Sequence, residues 1–371
     1  MNLSPLSRLL RAFTSRSSAV VAAIAALLVA IGHLATAGGP ELGTPVVRAS
    51  GAAMPALTGA TGWINSPPMT TEDLRGKVVL VDFWTYSCIN CLRTLPHIKA
   101  WAQKYKPHGL VVLGVHSPEF DFERSQANVL RATRDLGIDY PVVVDSNHAL
   151  WRAFGTYAWP TLLFVDAQGR IRHRQLGEGG YEKAERVIQQ LLREAGMPGV
   201  PDDLVAPQGK GTQAAPSPVP ADSGETYVGY ARTSGFTAAD GGIRQDRPHT
   251  YGGAKSLRLG QWTLSGAWTV GAEHAALDQA GGRIALRFRA RDLHLVLGPP
   301  QDGGRPVRFR VRIDGQPPQG DRGTDVDAEG FGQVDAQRLY QLVRQSSGSA
   351  ERQFEIEFLD PGVRAYAFTF G

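Results

Sequence analysis

The chain has 371 residues, of which 42% are hydrophobic and 20% charged, a globular composition long enough for two or three domains. The formal charge of +4 includes three arginines in the acid-free first 37 residues, so the remainder is close to neutral and gives no indication of nucleic-acid binding. Two cysteines cannot form a disulfide framework, and without further ligand pairs they do not predict a metal site.

The N-terminus has the pattern of a secretory signal. An apolar run over residues 19–31 follows the arginines, and Ala35-Thr36-Ala37 supplies the small residues that a signal peptidase reads. Residues 1–37 are therefore predicted to be a signal peptide or an uncleaved N-terminal anchor, and both alternatives place the remaining chain in the periplasm or elsewhere outside the cytoplasmic membrane. Residues 38–58, rich in Gly, Pro and Ala, are predicted to be a flexible spacer.

Residues 59–196 alternate buried strands with helices, which predicts an α/β domain with a mixed sheet. The first core strand, over residues 78–84, is continuously apolar and is expected to be buried on both faces. The further predicted elements are a helix after the cysteines, strands over 109–116, 140–145 and 159–166, a return strand over 170–175, and helices over 122–136, 149–154 and 181–195.

A composition change divides the C-terminal part. Residues 197–224 hold six prolines among Gly, Ser, Gln and Ala, which predicts a linker. Residues 225–371 carry short alternating runs such as 307–313 and 354–358, separated by Gly, Pro and Asp. This pattern predicts antiparallel strands with one solvated face, arranged as a jelly-roll-like β-sandwich.

The two cysteines lie three positions apart, where the first core strand gives way to a helix. Cys88 is expected in the first turn of that helix and Cys91 one turn further on. Unpaired amides and the positive end of the dipole favour a thiolate at a helix N-terminus, so the arrangement is that of a thiol–disulfide exchange site. Asp82, six residues before Cys88, would be buried, with a raised pKa, and could accept the Cys91 proton; a purely structural carboxyl is the alternative.

Two prolines flank this site. Pro96 falls inside the cysteine helix, where it should produce a kink. Trp159-Pro160 opens a later strand, and the sequence leaves the isomer of that peptide bond open. His97, Glu119 and Glu178 are weaker candidates, each more simply explained as a solvated surface residue.

Together these residues resemble the thioredoxin superfamily. Asp82, Phe83, Trp84, Cys88, Cys91 and Pro96 match its active-site pattern, and Trp159-Pro160 falls where the family has its cis-proline loop. Residues 74–81 resemble the TlpA-like branch, within the wider group of redoxins. The whole of residues 60–371 is similar to the soluble C-terminal part of DipZ-type thiol:disulfide interchange proteins, through runs at residues 84–91, 116–120, 177–181 and 338–343.

The resemblance implies a two-step exchange without a cofactor other than the Cys88–Cys91 disulfide. Cys88 attacks a substrate disulfide, Trp84, Trp159 and Pro160 help to bind the substrate, and Cys91 resolves the mixed disulfide. It also implies disulfide-containing protein substrates. Since DipZ proteins carry a membrane domain that this chain lacks, a separate membrane electron donor of the DipZ or CcdA type is expected.

Three further function classes stay open. The same site could run in the oxidase or isomerase direction. A peroxidase-like redoxin would use a Pro-x-x-x-Thr-x-x-Cys run, which Thr85 and Cys88 match, although Val81 replaces the proline. A binding module would make the β-sandwich the active part. Aromatic residues of that domain could line a carbohydrate-binding face, although a core position is the simpler interpretation; they are Trp262, Trp268, Tyr227, Tyr230 and Tyr251.

Overall fold

The computed structural model describes residues 51–300 and 305–371, together with the backbone of Val47–Arg48. The predicted signal or anchor, residues 1–37, lies outside the described residues. Among the residues described, none of the helices is both long enough and apolar enough to cross a membrane. Both predicted folded domains belong to a single compact unit, Thr44–Gly371.

The first domain is a seven-stranded mixed sheet flanked by helices. Its strands are β1 (Val47–Arg48), β2 (Gly62–Ile64), β3 (Val78–Trp84), β4 (Leu110–His116), β5 (Val142–Val144), β6 (Thr161–Val165) and β7 (Ile171–Leu176). Its helices are α1 (Ile89–Tyr105), α2 (Gln126–Asp135), α3 (Ala149–Ala153) and α4 (Tyr181–Glu194). The strand order is β1-β7-β6-β3-β4-β5-β2, and β3 pairs parallel with β4 and antiparallel with β6, as a mixed sheet requires.

Strand β3 is the centre of the domain, and all seven of its residues are buried. Because side chains alternate along a strand, Leu80 packs into a core with α1 and α4, whereas Val81 and Phe83 pack into a second core with α3. The continuous apolar run thus corresponds to burial on both faces.

The structure differs from the sequence prediction at both ends of the first domain. Strand β1 and the buried side chains of Met54 and Leu57 fall within the predicted spacer, so the folded part of the chain begins before residue 59. In the predicted linker, the backbone N–H of Val205 donates to the buried carboxylate of Glu185. Two apolar side chains thus anchor the predicted spacer, and a backbone hydrogen bond holds part of the predicted linker against the domain.

The second domain is all antiparallel β-structure, as expected. Its strands are β8 (Thr226–Tyr227), β9 (Pro248–Gly252), β10 (Trp262–Val270), β11 (Ala275–Leu277), β12 (Arg283–Arg289), β13 (Asp292–Gly298), β14 (Val307–Ile313), β15 (Phe331–Val334), β16 (Arg338–Arg344), β17 (Glu351–Phe358) and β18 (Arg364–Phe370). Pairing through β10, β11 and β18 joins them into one curled sheet. Its two halves face each other, because Phe354 of β17 packs on Phe368 of β18 with ring centroids 5.9 Å apart.

The aromatic residues of this domain mostly fill its core. Trp262, Trp268 and Tyr251 are at most 1% exposed and therefore cannot stack on a sugar ring. Tyr230 and Tyr227 are only half-buried. The core interpretation holds for the first three residues, and the carbohydrate face suggested by the sequence loses its main components.

The two domains share part of a hydrophobic core. Phe122, from the loop after β4, packs against Tyr366 of β18 with ring centroids 4.8 Å apart. Val296 and Leu339 of the second domain join the same cluster as Leu92 of α1. The second domain is consequently part of the surroundings of the cysteine helix.

Candidate active site

Cys88 caps the N-terminus of α1. Its backbone is extended (φ −84°, ψ 116°), and its Sγ accepts a hydrogen bond from the backbone N–H of Cys91 at 3.3 Å. Cys88 is thus one position before the first helical turn in which the sequence predicted it. It is half-buried, whereas Cys91 is 5% exposed, and both are free thiols. The half-buried sulfur with an amide donor suits attack on an incoming disulfide, and the buried sulfur suits resolution.

Asp82 lies in β3 below the cysteine pair. It is 4% exposed, and its Oδ1 has no hydrogen-bond partner among the described residues. Burial raises the pKa of Asp82 to about 7. Burial, together with the neighbouring Cys88 and Asp82, raises the pKa of the Cys91 thiol well above its usual value. A role of Asp82 as the base for Cys91 stays a prediction; the structure provides a buried carboxyl of raised pKa whose charge affects the Cys91 thiol.

Tyr140 completes this buried polar group. It is 5% exposed, and burial together with Asp82 raises the pKa of its phenol well above the usual value. Gly114, which pairs with Asp82 across the sheet, leaves the space that Tyr140 and Trp84 occupy: a Cβ there would lie 3.1 Å from Trp84 Nε1 and 3.2 Å from Tyr140 Cε2. Neither Tyr140 nor Gly114 belongs to a recognisable motif, so the sequence gives no signal that either lies at the site.

The prediction that Trp84 helps to bind substrate disagrees with the structure. The side chain is 3% exposed, and its ring packs edge-on against His116. Trp84 is therefore a core residue, because it is the last residue of β3 and the strand is still inside the sheet at that position. Thr85, which the peroxidase alternative requires beside Cys88, is also fully buried, with Oγ1 3.2 Å from His116 Nε2. This hydroxyl is thus engaged away from Cys88.

The loop that carries Cys88 is held by hydrogen bonds to Glu123. No motif in the sequence points to this residue. Its fully buried carboxylate accepts hydrogen bonds from Ser87 Oγ at 2.6 Å and from the Ser87 N–H at 3.3 Å. The other oxygen accepts from the backbone N–H groups of Glu119 (2.6 Å) and Phe120 (3.1 Å). Burial raises the pKa of Glu123. One carboxylate therefore ties the active-site loop to the loop after β4.

Trp159 and Pro160 approach the site from the start of β6. Their peptide bond is cis, Pro160 is buried, and Trp159 Nε1 donates to the Ser117 carbonyl at 3.0 Å. Pro96 lies inside α1, which continues to Tyr105, so the proline does not end the helix. Trp159 remains half-buried and lines the cleft described below.

The weaker candidates are not free surface residues. His97 stacks on Tyr181 with ring centroids 3.6 Å apart, and burial lowers its pKa to about 4. Glu178 pairs with the buried Arg93 of α1 at 3.3 Å, and Arg93 also faces Asp292 of the second domain at 3.6 Å. Glu119 pairs with Arg232 at 2.9 Å. All three residues differ from the expected solvated state because they contact residues distant in sequence, which no local pattern can show.

Cys88 opens into a cleft of about 440 Å³ between the two domains. The first domain contributes Cys88, Ile89, Asn90, Glu119, Tyr157, Ala158 and Trp159, and the second contributes Ser223, Glu225, Tyr227, Arg232, Thr369 and Phe370. Within the described residues, no group of three or more His, Cys, Asp or Glu side chains is arranged to hold a metal ion. Of the two cysteines, Cys88 lines the cleft, whereas Cys91 is buried behind it.

Comparisons with known proteins show the family of this chain. The Redoxin family model matches residues 49–192, and the model described as "Thioredoxin like C-terminal domain" matches residues 223–371. Thiol-disulfide oxidoreductase YkuV of Bacillus subtilis is 33% identical over 142 residues, which are 38% of this chain and 95% of YkuV. A solved thioredoxin-like protein in its oxidised form is 32% identical, with 38% of this chain and 96% of that chain covered at a TM-score of 0.36.

The chain belongs to the thioredoxin superfamily, among its thiol–disulfide oxidoreductases. Within that superfamily it is similar to protein DipZ of Mycobacterium tuberculosis, with 39% identity over 247 residues and 66% of this chain covered. The chain spans about a third of the length of the DipZ proteins, since the match covers 35% of them. The match to YkuV confirms the predicted family. The structure itself shows the predicted mixed sheet in the first domain and a single curled antiparallel sheet in the second.

Proposed function

We propose that this protein is an extracytoplasmic thiol–disulfide oxidoreductase that reduces disulfides of partner proteins through Cys88 and Cys91. The observation that carries the proposal is the pairing of a half-buried, amide-bonded sulfur at the N-terminus of α1 with a buried sulfur one turn further along it. The buried carboxyl of Asp82 beneath them supplies a proton acceptor.

The exchange begins with the Cys88 thiolate. It attacks one sulfur of the substrate disulfide, so a Cys88–substrate disulfide forms, the substrate disulfide breaks, and the first substrate thiolate leaves and takes up a proton. Asp82 then accepts the proton of Cys91, whose sulfur attacks Cys88. The Cys88–Cys91 disulfide forms, the mixed disulfide breaks, and the second substrate thiolate leaves. Two electrons pass from the cysteine pair to the substrate.

Continued turnover requires a reductant for the Cys88–Cys91 disulfide. We place its source in a separate membrane protein of the DipZ or CcdA type, because the signal or anchor pattern of residues 1–37 directs the domains outside the cytoplasmic membrane. Cell fractionation should then recover the protein with the periplasm or the membrane. Recovery with the cytoplasmic fraction would contradict this location and remove the need for a membrane donor.

The activity is tested by reduction of insulin with dithiothreitol as the reductant, followed as turbidity. The wild-type protein should accelerate the reaction, and Cys88→Ser should reduce it to the uncatalysed rate. When pre-reduced Cys91→Ser protein is mixed with insulin after removal of dithiothreitol, a covalent adduct should accumulate, visible by mass spectrometry, because no thiol is left to resolve the mixed disulfide. Acceleration that survives Cys88→Ser would overturn the proposal.

A further inference from the structure

The cleft at Cys88 is built by both domains, so the second domain takes part in whatever binds there. Trp159 and Tyr157 form one side, and Tyr227 with Phe370 forms the other. Tyr157 is 69% exposed, so its ring is accessible to a ligand in the cleft. A volume of about 440 Å³ fits a few residues of extended polypeptide but not a folded surface.

Hydrogen bonding in the cleft leaves one carboxylate short of a donor. Tyr227 Oη lies 2.7 Å from a carboxylate oxygen of Glu119 and 2.6 Å from one of Glu225. A phenol has one proton and can donate to only one of them. Glu119 also receives the guanidinium of Arg232 at 2.9 Å. Among the described residues, Glu225 has no hydrogen-bond partner except Tyr227.

The charged side chains that line the cleft, Glu119, Glu225 and Arg232, do not balance. Arg232 is the single cation among the cleft-lining residues, and it faces Glu119 and Glu225, so the wall keeps one net negative charge. Arg232 is also held over the Tyr227 ring at 3.7 Å, which fixes it against the wall. Glu225 is an exposed residue, but burial of its carboxyl and the neighbouring charge of Glu119 raise its pKa, so a cation that enters from solvent would stabilise its ionised form.

We infer that the second domain selects the substrate: the cleft takes an extended polypeptide segment whose disulfide cysteine is flanked by basic residues, and Glu225 pairs with one of them. This inference rests on the proposed function, since it concerns the disulfide that Cys88 attacks. The aromatic walls contact the apolar stems of the flanking lysine or arginine side chains, and the carboxylate meets the charged end. An acidic segment at the same place would be repelled.

The test compares two seven-residue peptides, each a disulfide-linked dimer, that differ only in having lysine or glutamate on both sides of the cysteine. Pre-reduced protein is mixed with each at pH 8 and low ionic strength, and oxidation of the cysteine pair is followed by acid quench and mass spectrometry. The lysine peptide should react about five-fold faster than the glutamate peptide, the effect of one partly exposed ion pair. The preference should shrink at 0.5 M NaCl.

Variants assign the preference to its residue. Glu225→Gln should bring the ratio of the two rates close to one, and Glu225→Lys should invert it. Glu329→Gln, which removes an exposed carboxylate of the same domain outside the cleft, should keep the wild-type ratio. Each ratio is first divided by the ratio of the two rates with dithiothreitol, because the peptides differ in intrinsic reactivity.

The outcomes distinguish failure of the inferred substrate preference from failure of the proposed function. Equal rates with the wild-type protein, or a preference that persists in Glu225→Gln, would overturn the inference and leave the proposed function standing. If neither peptide oxidises the pre-reduced protein, the proposed function fails and the inference fails with it.

Discussion

Replacing Asp82 with asparagine should stabilise the protein at neutral and alkaline pH but not in acid. In the native state burial raises the pKa of Asp82 to about 7, against 3.8 for an accessible carboxyl. Between these two values the native protein binds more protons than the unfolded chain, so this group makes stability fall as the pH rises. About three pKa units at 1.36 kcal/mol each give about 4 kcal/mol of destabilisation above pH 7.

Urea unfolding of the reduced protein at pH 4, 6 and 8 measures this effect. The difference in unfolding free energy between Asp82→Asn and the wild type should be smallest at pH 4 and larger by up to about 4 kcal/mol at pH 8. The same comparison in a Cys88→Ser/Cys91→Ser background removes thiol titration and should preserve the trend. A difference that does not change with pH would refute the buried, titrating Asp82.

The same substitution should slow the exchange. Without the carboxylate, the Cys91 proton has no nearby acceptor, so the mixed disulfide should persist longer at pH 7. Rapid quench with the peptide substrates would reveal the adduct, and its lifetime in Asp82→Asn should exceed that in the wild type. At a pH high enough to ionise Cys91 directly, the two lifetimes should converge; a constant ratio at all pH values would contradict the role of Asp82 as base.

Three other substitutions probe the framework of the site. Glu123→Ala leaves buried N–H groups without an acceptor and should cost about 3 kcal/mol in urea unfolding and lower the rate of insulin reduction; unchanged activity would contradict its positioning role. Gly114→Ala forces a Cβ to 3.1 Å from Trp84 Nε1 and should cost about 1–3 kcal/mol, a loss that near-wild-type stability would disprove. Asp292→Asn should cost about 1–3 kcal/mol in urea unfolding, since the buried Arg93 keeps Glu178 but loses the charge of Asp292; no measurable loss would show that this ion pair is not structural.

The catalytic centre could be predicted because its signals are local. A continuous apolar strand, two cysteines at helical spacing and Asp82 within the strand are readable from residues 78–91 alone. The structure places these groups as the sequence indicated, apart from the shift of Cys88 to the cap position. The burial of Trp84, predicted instead to contact substrate, could not be foreseen because the sequence does not show where β3 leaves the sheet.

The surroundings of the centre could not be predicted because they depend on contacts distant in sequence. Glu123 reaches Ser87 across 36 positions, and Tyr227 reaches Glu119 across 108. Strand β1 is only two residues long, too short to show any periodicity. No pattern in the sequence of either domain predicts the cleft, because both domains contribute residues to it. The sequence therefore predicts the chemistry of the site, and the tertiary structure supplies the contacts from which we infer its selectivity.

The central claim is that the cysteine pair donates electrons to partner proteins outside the cytoplasm. The most direct test is the redox state of Cys88 and Cys91 in intact cells, determined by acid quench, thiol alkylation and gel shift. A reductase fed by a membrane donor keeps the pair mostly reduced, and loss of the donor should shift it to the disulfide. A pair that is mostly oxidised in growing cells would contradict the reductase direction and favour an oxidase or isomerase.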